Sequence, residues 1–204
     1  KNGDVINPAM RPDVRRLLLG GLLASDARLE RYTTNGNGNG SSDYQMIGDP
    51  TEGALIVAAA KADLWRNAAE EQYPRVNEIP FDSTRKRMST LHKNPDNSGY
   101  LAFTKGAPEI VLDHCSTLLD NDDVIPLTGE QRALIVDQNH QMAHQALRVL
   151  AVAERRFDQL PDKITPESIE KDLTLIGLIA MIDPARPEVK SAIEKARHAG
   201  IRTV

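Results

Sequence analysis

Tyr100-Leu101-Ala102-Phe103-Thr104-Lys105-Gly106-Ala107-Pro108-Glu109 is the stretch that decides how the middle of this chain folds. Its apolar first half predicts a strand, and Lys105 stands at the end of that strand. Gly106 has no Cβ, so a ligand can approach the backbone closely there. Pro108 suits the first turn of a helix, and a helix N-terminus favours anions. The pattern predicts either a phosphate-binding lysine at a strand-to-helix corner or a surface lysine in a tight turn.

Two segments that precede this corner carry residue types that suit a nucleotide base. Residues 48–55, Gly-Asp-Pro-Thr-Glu-Gly-Ala-Leu, open an alanine-rich helix. Glu52 in that segment either favours the helix N-terminus electrostatically or accepts a hydrogen bond from an amino group. Residues 80–88, Pro-Phe-Asp-Ser-Thr-Arg-Lys-Arg-Met, place Phe81 ahead of three cations. The Phe81 ring either stacks on a purine or packs in the core.

Cations that could meet phosphate groups come from two further positions. Lys86 belongs to the basic cluster after Phe81, and Arg148 begins the apolar run Leu147-Arg148-Val149-Leu150-Ala151-Val152-Ala153. An arginine at the edge of an apolar strand needs a partner, because an unpaired buried charge is costly. Either a carboxylate or a phosphate would serve, and the guanidinium fork matches phosphate bidentately.

Composition excludes several classes of protein. The 204 residues are 40% hydrophobic and 26% charged, which is ordinary for a soluble globular domain. The net charge of −4 argues against general nucleic-acid binding. The longest apolar run, residues 175–182, is too short to cross a bilayer and predicts a buried strand. Cys115 is the only cysteine, so the chain forms no internal disulfide, and no His, Cys and Asp cluster has the spacing of a metal site.

The pattern of elements predicts an α+β fold, an antiparallel sheet flanked by helices. Helices are expected over residues 12–23, 53–61, 108–114, 128–146 and 187–199, with a short helix capped by Asp63. Strands are expected over residues 76–79, 87–92, 100–105, 148–154, 173–182 and 201–204. A flexible Asn/Gly loop is expected over 35–42. The last strand, helix and strand form a parallel crossover unit, so a domain boundary is expected near Asp172.

In this order and spacing, the four segments resemble the nucleotide-binding domain of P-type cation-transporting ATPases, and most of all the calcium-pump branch in its bacterial form. Residues 183–187, Asp-Pro-Ala-Arg-Pro, resemble the return into that family's phosphorylation domain. The resemblance runs over nearly the whole chain. It implies that residues 1–171 are the nucleotide-binding domain and that residues 172–204 are a partial phosphorylation-domain segment.

The resemblance also implies a site. Its nucleotide-binding residues are Glu52, Phe81, Lys86, Lys105, Gly106 and Arg148. By resemblance Phe81 stacks on adenine, Glu52 lies near the base, and Lys86 and Arg148 approach the phosphates. Some animal calcium pumps have an arginine two positions after the aromatic, where this chain has Ser83, so Arg85 or Arg87 is expected to compensate.

The function that the resemblance implies is that of the ATP-binding cytoplasmic domain of an integral membrane cation pump, with calcium as the transported ion. The domain would present the γ-phosphate of ATP to an aspartate in the phosphorylation domain, and the actuator domain of the same polypeptide is a further partner. The family's Asp-Lys-Thr-Gly-Thr motif does not occur in these 204 residues. Catalytic residues and metal ligands are therefore expected to be none in this fragment, with Mg²⁺ needed only by the full-length protein.

Two rival functions stay open at this point. One is a self-contained phosphohydrolase or kinase, which would need its own nucleophile or Mg²⁺ carboxylates. The other is an interaction domain that binds no nucleotide, in which the basic corner is only a solvated face. Direct contact with the membrane or with nucleic acid is not expected.

Overall fold

The computed structural model describes residues 11–32, 43–183 and 187–202, and the expected loop over 35–42 lies outside them. The helices in these ranges are α1 (Pro12–Leu23), α2 (Pro50–Lys61), α3 (Arg66–Gln72), α4 (Pro108–Asp113), α5 (Gly129–His144), α6 (Pro166–Ile169) and α7 (Pro187–His198). The strands are β1 (Arg28–Tyr32), β2 (Asp43–Ile47), β3 (Arg75–Asp82), β4 (Arg87–Lys93), β5 (Tyr100–Gly106), β6 (Cys115–Asp120), β7 (Asp123–Pro126), β8 (Arg148–Phe157) and β9 (Leu173–Met181).

A seven-stranded sheet forms the centre of the fold, in the order β3-β4-β5-β8-β9-β6-β7. Each neighbouring pair is antiparallel except β6 and β9, which run parallel. Strands β1 and β2 form a separate antiparallel pair. The predicted α+β class, an antiparallel sheet flanked by helices, is confirmed.

Alternation along β5 sends successive side chains to opposite faces of the sheet. Leu101 and Phe103 pack in a cluster with Leu22 of α1 and Ile56 of α2. Ala102 packs on the other face, beside Ile169 of α6. Because Lys105 is two residues beyond Phe103, the alternation directs its side chain toward α1 and α2.

Helices cover both faces of the sheet. On one face, α1 approaches so closely that a Cβ added at Gly20 would stand 2.9 Å from both Phe103 and Val152. On the other face, Val111 and Leu112 of α4 pack against Ala151 and neighbouring apolar residues, with α5 lying against the same cluster. The sheet is therefore the middle layer, and the ends of its strands are where a site can open.

The C-terminal segment departs from the expected strand–helix–strand unit. β9 lies inside the sheet, bonded to β8 on one side and to β6 on the other. α7 is present, but Ile201 and Arg202 belong to no strand, and residues 203–204 lie outside the described ranges. The boundary between residues 171 and 172 stays a prediction. We propose a later one, after Met181, because a cut before Leu173 would remove a strand that is bonded on both sides.

Other local predictions have mixed outcomes. The capping box at Thr128 is confirmed, since its hydroxyl accepts from the Gln131 amide and the Gln131 side chain accepts from the Thr128 amide. The predicted cap at Asp63 is wrong. Trp65 is the N-cap of α3, and the Asp63 carboxylate accepts a hydrogen bond from the indole of Trp65 instead. Strands β1, β2, β6 and β7 were not predicted.

His92 on β4 is fully buried on the face that α1 covers. Its Nδ1 lies 2.9 Å from the Tyr73 carbonyl, and its Nε2 lies 2.9 Å from the Thr90 hydroxyl. A carbonyl only accepts, so Nδ1 carries the proton and Nε2 accepts from Thr90. Burial lowers the pKa of His92 from 6.5 to about 4. The imidazole is therefore neutral in the folded protein at pH 7.

We predict that His92 makes the fold acid-sensitive between pH 6.5 and 4. In this window the unfolded chain binds a proton that the folded chain excludes, so stability is full above pH 6.5 and falls toward pH 4. Titration of this one group lowers the free energy of unfolding by about 3 kcal/mol. Urea unfolding at pH 7 and pH 4 measures it. His92→Gln should remove this part of the loss, whereas His144→Gln, at an exposed position, should leave it intact; equal losses in all three proteins would contradict the prediction.

Candidate functional site

A cleft of about 280 Å³ opens where β5 ends and β4 and β8 begin, near the N-terminus of α2. Its lining residues are Asp49, Thr51, Glu52, Phe81, Met88, Lys105, Gly106, Arg148 and Leu150. The structure thus brings together five of the six residues that the resemblance implies. Lys86 is exposed and is not among the lining residues.

Lys105 is buried, with only 6% of its surface exposed. Its ammonium group lies 2.6 Å from Oε1 of Glu52 and 2.9 Å from the hydroxyl of Ser25. Burial lowers the pKa of Lys105, and the nearby Glu52 carboxylate opposes that shift. The lysine is therefore held by protein groups at the wall of the cleft rather than standing free on the surface of a turn.

Glu52 lies in the first turn of α2, which begins at Pro50 and so starts three residues earlier than expected. The Asp49 carboxylate caps this helix by accepting from the amides of Thr51 and Glu52. Oε2 of Glu52 accepts from the backbone amides of Asp26 and Ala27 at 2.8 and 2.9 Å. Glu52 consequently ties the segment after α1 to α2 with one oxygen and binds Lys105 with the other.

Phe81 projects from the edge strand β3, and 63% of its surface is exposed. It lies where the register between β3 and β4 shifts, between Ile79 and Asp82. Packing in the core is therefore not its role. Its ring is the one aromatic side chain among the residues that line the cleft.

The turn that follows Phe81 approaches position 106 so closely that only glycine fits there. A Cβ at this position would stand 2.4 Å from the Lys86 carbonyl oxygen and 2.8 Å from Cα of Arg87. Lys86 has a φ of 52°, and its carbonyl accepts from the Ala107 amide at 3.0 Å. The backbone of Lys86 therefore packs against Gly106, which lines the cleft.

Arg148 begins β8 in an exposed position at the mouth of the cleft. With Thr51 it also lines an adjoining cavity of about 370 Å³ that extends to Asp183. Burial acts to raise the pKa of Asp49, but hydrogen bonds from Thr51 and Glu52 and the charge of Arg148 outweigh it, so the pKa is lowered. The mouth therefore combines an ionised carboxylate with an accessible guanidinium.

Arg85 and Arg87, the residues expected to compensate for Ser83, lie away from the lining of the cleft. Both guanidinium groups bind the buried carboxylate of Glu170. No local sequence pattern marks Glu170. Prediction from the sequence also missed four lining residues, Asp49, Thr51, Met88 and Leu150. Two of them had a usable signal: Asp49 stands in an N-cap pattern, and Met88 lies opposite Lys105 in the predicted strand pair.

A larger cavity of about 570 Å³ lies between β1, β2, α2 and α3, and Tyr44, Trp65 and Arg66 contribute to its lining. None of the six implied residues reaches it. Within residues 11–32, 43–183 and 187–202, no three His, Cys, Asp or Glu side chains form a group that could hold a metal ion. In the same part of the chain, no helix is long and apolar enough to cross a membrane.

The cleft of this α+β domain combines an aromatic ring with cations and carboxylates, and comparison with known proteins identifies the family of the domain. Residues 13–188 match the family model described as P-type ATPase, cytoplasmic domain N. The chain belongs to this family of P-type cation ATPases, which confirms the resemblance.

Named relatives agree with this assignment. A calcium-transporting ATPase of Bacillus subtilis is 37% identical over 191 residues, covering 94% of this chain and 20% of that protein. A calcium-transporting ATPase of Listeria monocytogenes is 42% identical over 166 residues, covering 81% and 18%. A cation-transporting ATPase of Synechocystis is 36% identical over 199 residues, covering 97% and 20%. The chain spans about a fifth of the length of these relatives.

We predict that Lys105 and Glu52 depend on each other for stability. Glu52→Gln leaves the buried ammonium without its counter-charge and should lower the free energy of unfolding by about 3 kcal/mol. The double variant Glu52→Gln/Lys105→Met should recover most of that loss, because no unpaired charge remains. Urea denaturation measures both.

The control for this pair is Glu70→Gln, which disrupts the more exposed i,i+4 pair with Arg66. Glu70→Gln should lower the free energy of unfolding by only about 0.5 kcal/mol. If the losses of Glu52→Gln and Lys105→Met simply add in the double variant, the two residues are not coupled and the prediction is wrong.

Proposed function

We propose that this domain binds an adenine nucleotide in the 280 Å³ cleft. The observation that carries the proposal is the exposed Phe81 ring, which lines the same cleft as Lys105, Glu52 and the exposed Arg148. An exposed aromatic face is costly to leave in water and is suited to stacking on a base. The cations at the wall and mouth suit the negative charge of the phosphates.

Each residue has a proposed part in this binding. Phe81 stacks on adenine. Glu52 uses the remaining acceptor capacity of Oε1 for the exocyclic amino group, since a carboxylate oxygen has two lone pairs and the structure shows one contact there. Lys105 and Gly106 form the wall, and Arg148 and Lys86 approach the phosphates. Arg148 is already at the mouth, whereas Lys86 would reach it by a change of side-chain rotamer.

At the level of the whole protein, we propose an ATP-driven cation pump with this chain as part of its cytoplasmic portion. The matched relatives are named as calcium- or cation-transporting ATPases, which supports calcium as the ion. The domain would hold ATP while its γ-phosphate reaches an aspartate of the phosphorylation domain, with Mg²⁺ bound there. Catalysis in such a system rests on positioning and electrostatics. The phosphorylation and actuator domains of the same polypeptide are the proposed partners.

We predict that Phe81→Ala weakens ATP binding by about 1–3 kcal/mol, the contribution of base–aromatic stacking, and leaves the fold intact. The ring is exposed, so its removal exposes no core. Isothermal titration calorimetry measures the affinity and thermal unfolding checks the fold.

The matched control is Tyr44→Ala, which removes an exposed aromatic from the larger cavity. It should leave ATP affinity unchanged. Loss of affinity with Tyr44→Ala but not with Phe81→Ala would place the nucleotide in the larger cavity and overturn the proposed site.

We also predict that these 204 residues alone neither hydrolyse ATP nor become phosphorylated, with or without Ca²⁺ and Mg²⁺. Phosphoryl transfer needs an in-line nucleophile and a metal against the developing charge. The Asp-Lys-Thr-Gly-Thr motif is not in the sequence. Incubation with γ-labelled ATP and an acid quench measures both reactions. Turnover that Asp183→Asn abolishes would instead establish a self-contained phosphohydrolase.

A further inference from the structure

Glu170 is a fully buried carboxylate on the face of the sheet opposite the cleft wall. It follows α6, and 1% of its surface is exposed. Arg85 Nη1 lies 2.7 Å from each of its oxygens, Arg87 Nε lies 2.7 Å from Oε2, and the Ser89 hydroxyl donates to Oε1 at 2.9 Å. Three side chains from the segment after Phe81 thus converge on one anion.

Arg85 links this anion to the backbone that carries Phe81. While Nη1 binds Glu170, Nη2 donates to the Pro80 carbonyl oxygen at 2.7 Å. Pro80 directly precedes Phe81, so the guanidinium fixes the peptide on the N-terminal side of the aromatic. A planar guanidinium that binds two acceptors at once holds them in a fixed relative geometry.

The C-terminal side of Phe81 is fixed by Asp82 and by the same network. The Asp82 carboxylate accepts from the amides of Thr84 and Arg85, and its carbonyl accepts from the Lys86 amide at 2.7 Å. Arg87 Nη1 donates to the Arg85 carbonyl oxygen at 3.2 Å, which joins the turn to Glu170 a second time. The corner formed by residues 80–87 therefore depends on a carboxylate more than 80 residues away.

We propose that Glu170 is a positioning residue for nucleotide binding: through Arg85 it fixes the corner that aims the Phe81 ring at the cleft. Glu170 is not among the residues that line the cleft. This role rests on the proposed function, because Glu170 acts through the ring that is proposed to stack on adenine. An edge strand with a register shift has no partner on its outer side, so anchoring from the opposite face is what keeps an exposed ring in one orientation.

A second buried carboxylate provides the matched control. Glu154 on β8 is 5% exposed and pairs with Arg16 of α1 at 2.5 Å. Like Glu170 it neutralises an arginine within the fold, but it has no bond to the Phe81 corner. Glu154→Gln therefore reports the general cost of losing a buried ion pair in this domain.

The experiment measures the affinities of ATP and of adenosine by calorimetry for five proteins: wild type, Glu170→Gln, Phe81→Ala, the double variant and the control Glu154→Gln. Glu170→Gln should lower the affinity for both ligands by about tenfold, because a misplaced ring loses part of its stacking on the base. In the Phe81→Ala background, the same substitution should change either affinity by less than about twofold, since the ring through which it acts is gone. Glu154→Gln should also stay within about twofold.

Several results would overturn the proposal. An unchanged affinity in folded Glu170→Gln, or a tenfold loss that persists without Phe81, shows that Glu170 does not act through the ring. If the affinity for ATP falls while the affinity for adenosine does not, the network acts on phosphate binding and not on the ring. Should Glu170→Gln fail to fold, Arg85→Ala replaces it; this variant keeps the Arg87–Glu170 pair, removes the link to Pro80, and carries the same expectations for both ligands.

A ligand-free measurement separates failure of this inference from failure of the proposed function. Hydrogen exchange should quicken at the amides of Thr84, Arg85 and Lys86 in Glu170→Gln, but not in Glu154→Gln. If wild type binds neither ATP nor adenosine, the proposed function is wrong, and the exchange result alone decides whether Glu170 fixes the corner. Unchanged exchange would overturn the positioning in either case.

Discussion

The buried ion pair between Lys105 and Glu52 is the interaction on which the cleft depends. Lys105 comes from the sheet and Glu52 from α2, and the second oxygen of Glu52 binds backbone amides in the segment after α1. An unpaired charge at either position is costly, so the three segments must meet in one arrangement. The next residue back, Thr104, faces the opposite side, where its hydroxyl lies 2.9 Å from that of Ser89. A one-residue slip of β5 would exchange these two surfaces and destroy both.

Sequence patterns predicted the parts of the fold that have strong local signals. The apolar run of β5, the strand that begins at Arg148 and the capping box at Thr128 were all located. Strands β6 and β7 were missed because they are short and form half-exposed pairings without an apolar run. The position of β9 could not be read locally, since it is set by pairing with β6, more than 50 residues earlier.

The site was predicted residue by residue through the family resemblance, and five of its six residues lie in one cleft. Spacing alone left Phe81 open between core and surface, and only the exposed ring in the structure removes the core alternative. The burial of Lys105 could have been inferred from alternation with Leu101 and Phe103, but the glycine and proline that follow suggested an open corner. Glu170 was beyond reach, because no local pattern relates it to Arg85. Ionic contacts across the chain are fixed by tertiary packing, which a single sequence does not display.

The place of β9 also governs when this domain can fold during synthesis. It is the last strand of the sheet to be translated, yet it lies between β8 and β6. Until Met181 has left the ribosome, the nascent chain holds two incomplete sheets, β3-β4-β5-β8 and β6-β7, each with an unpaired edge. At ordinary translation rates the interval from the end of β8 to the end of β9 lasts on the order of a few seconds. Open strand edges are sites of misassembly, and the arrival of β9 closes the edges of β8 and β6 together.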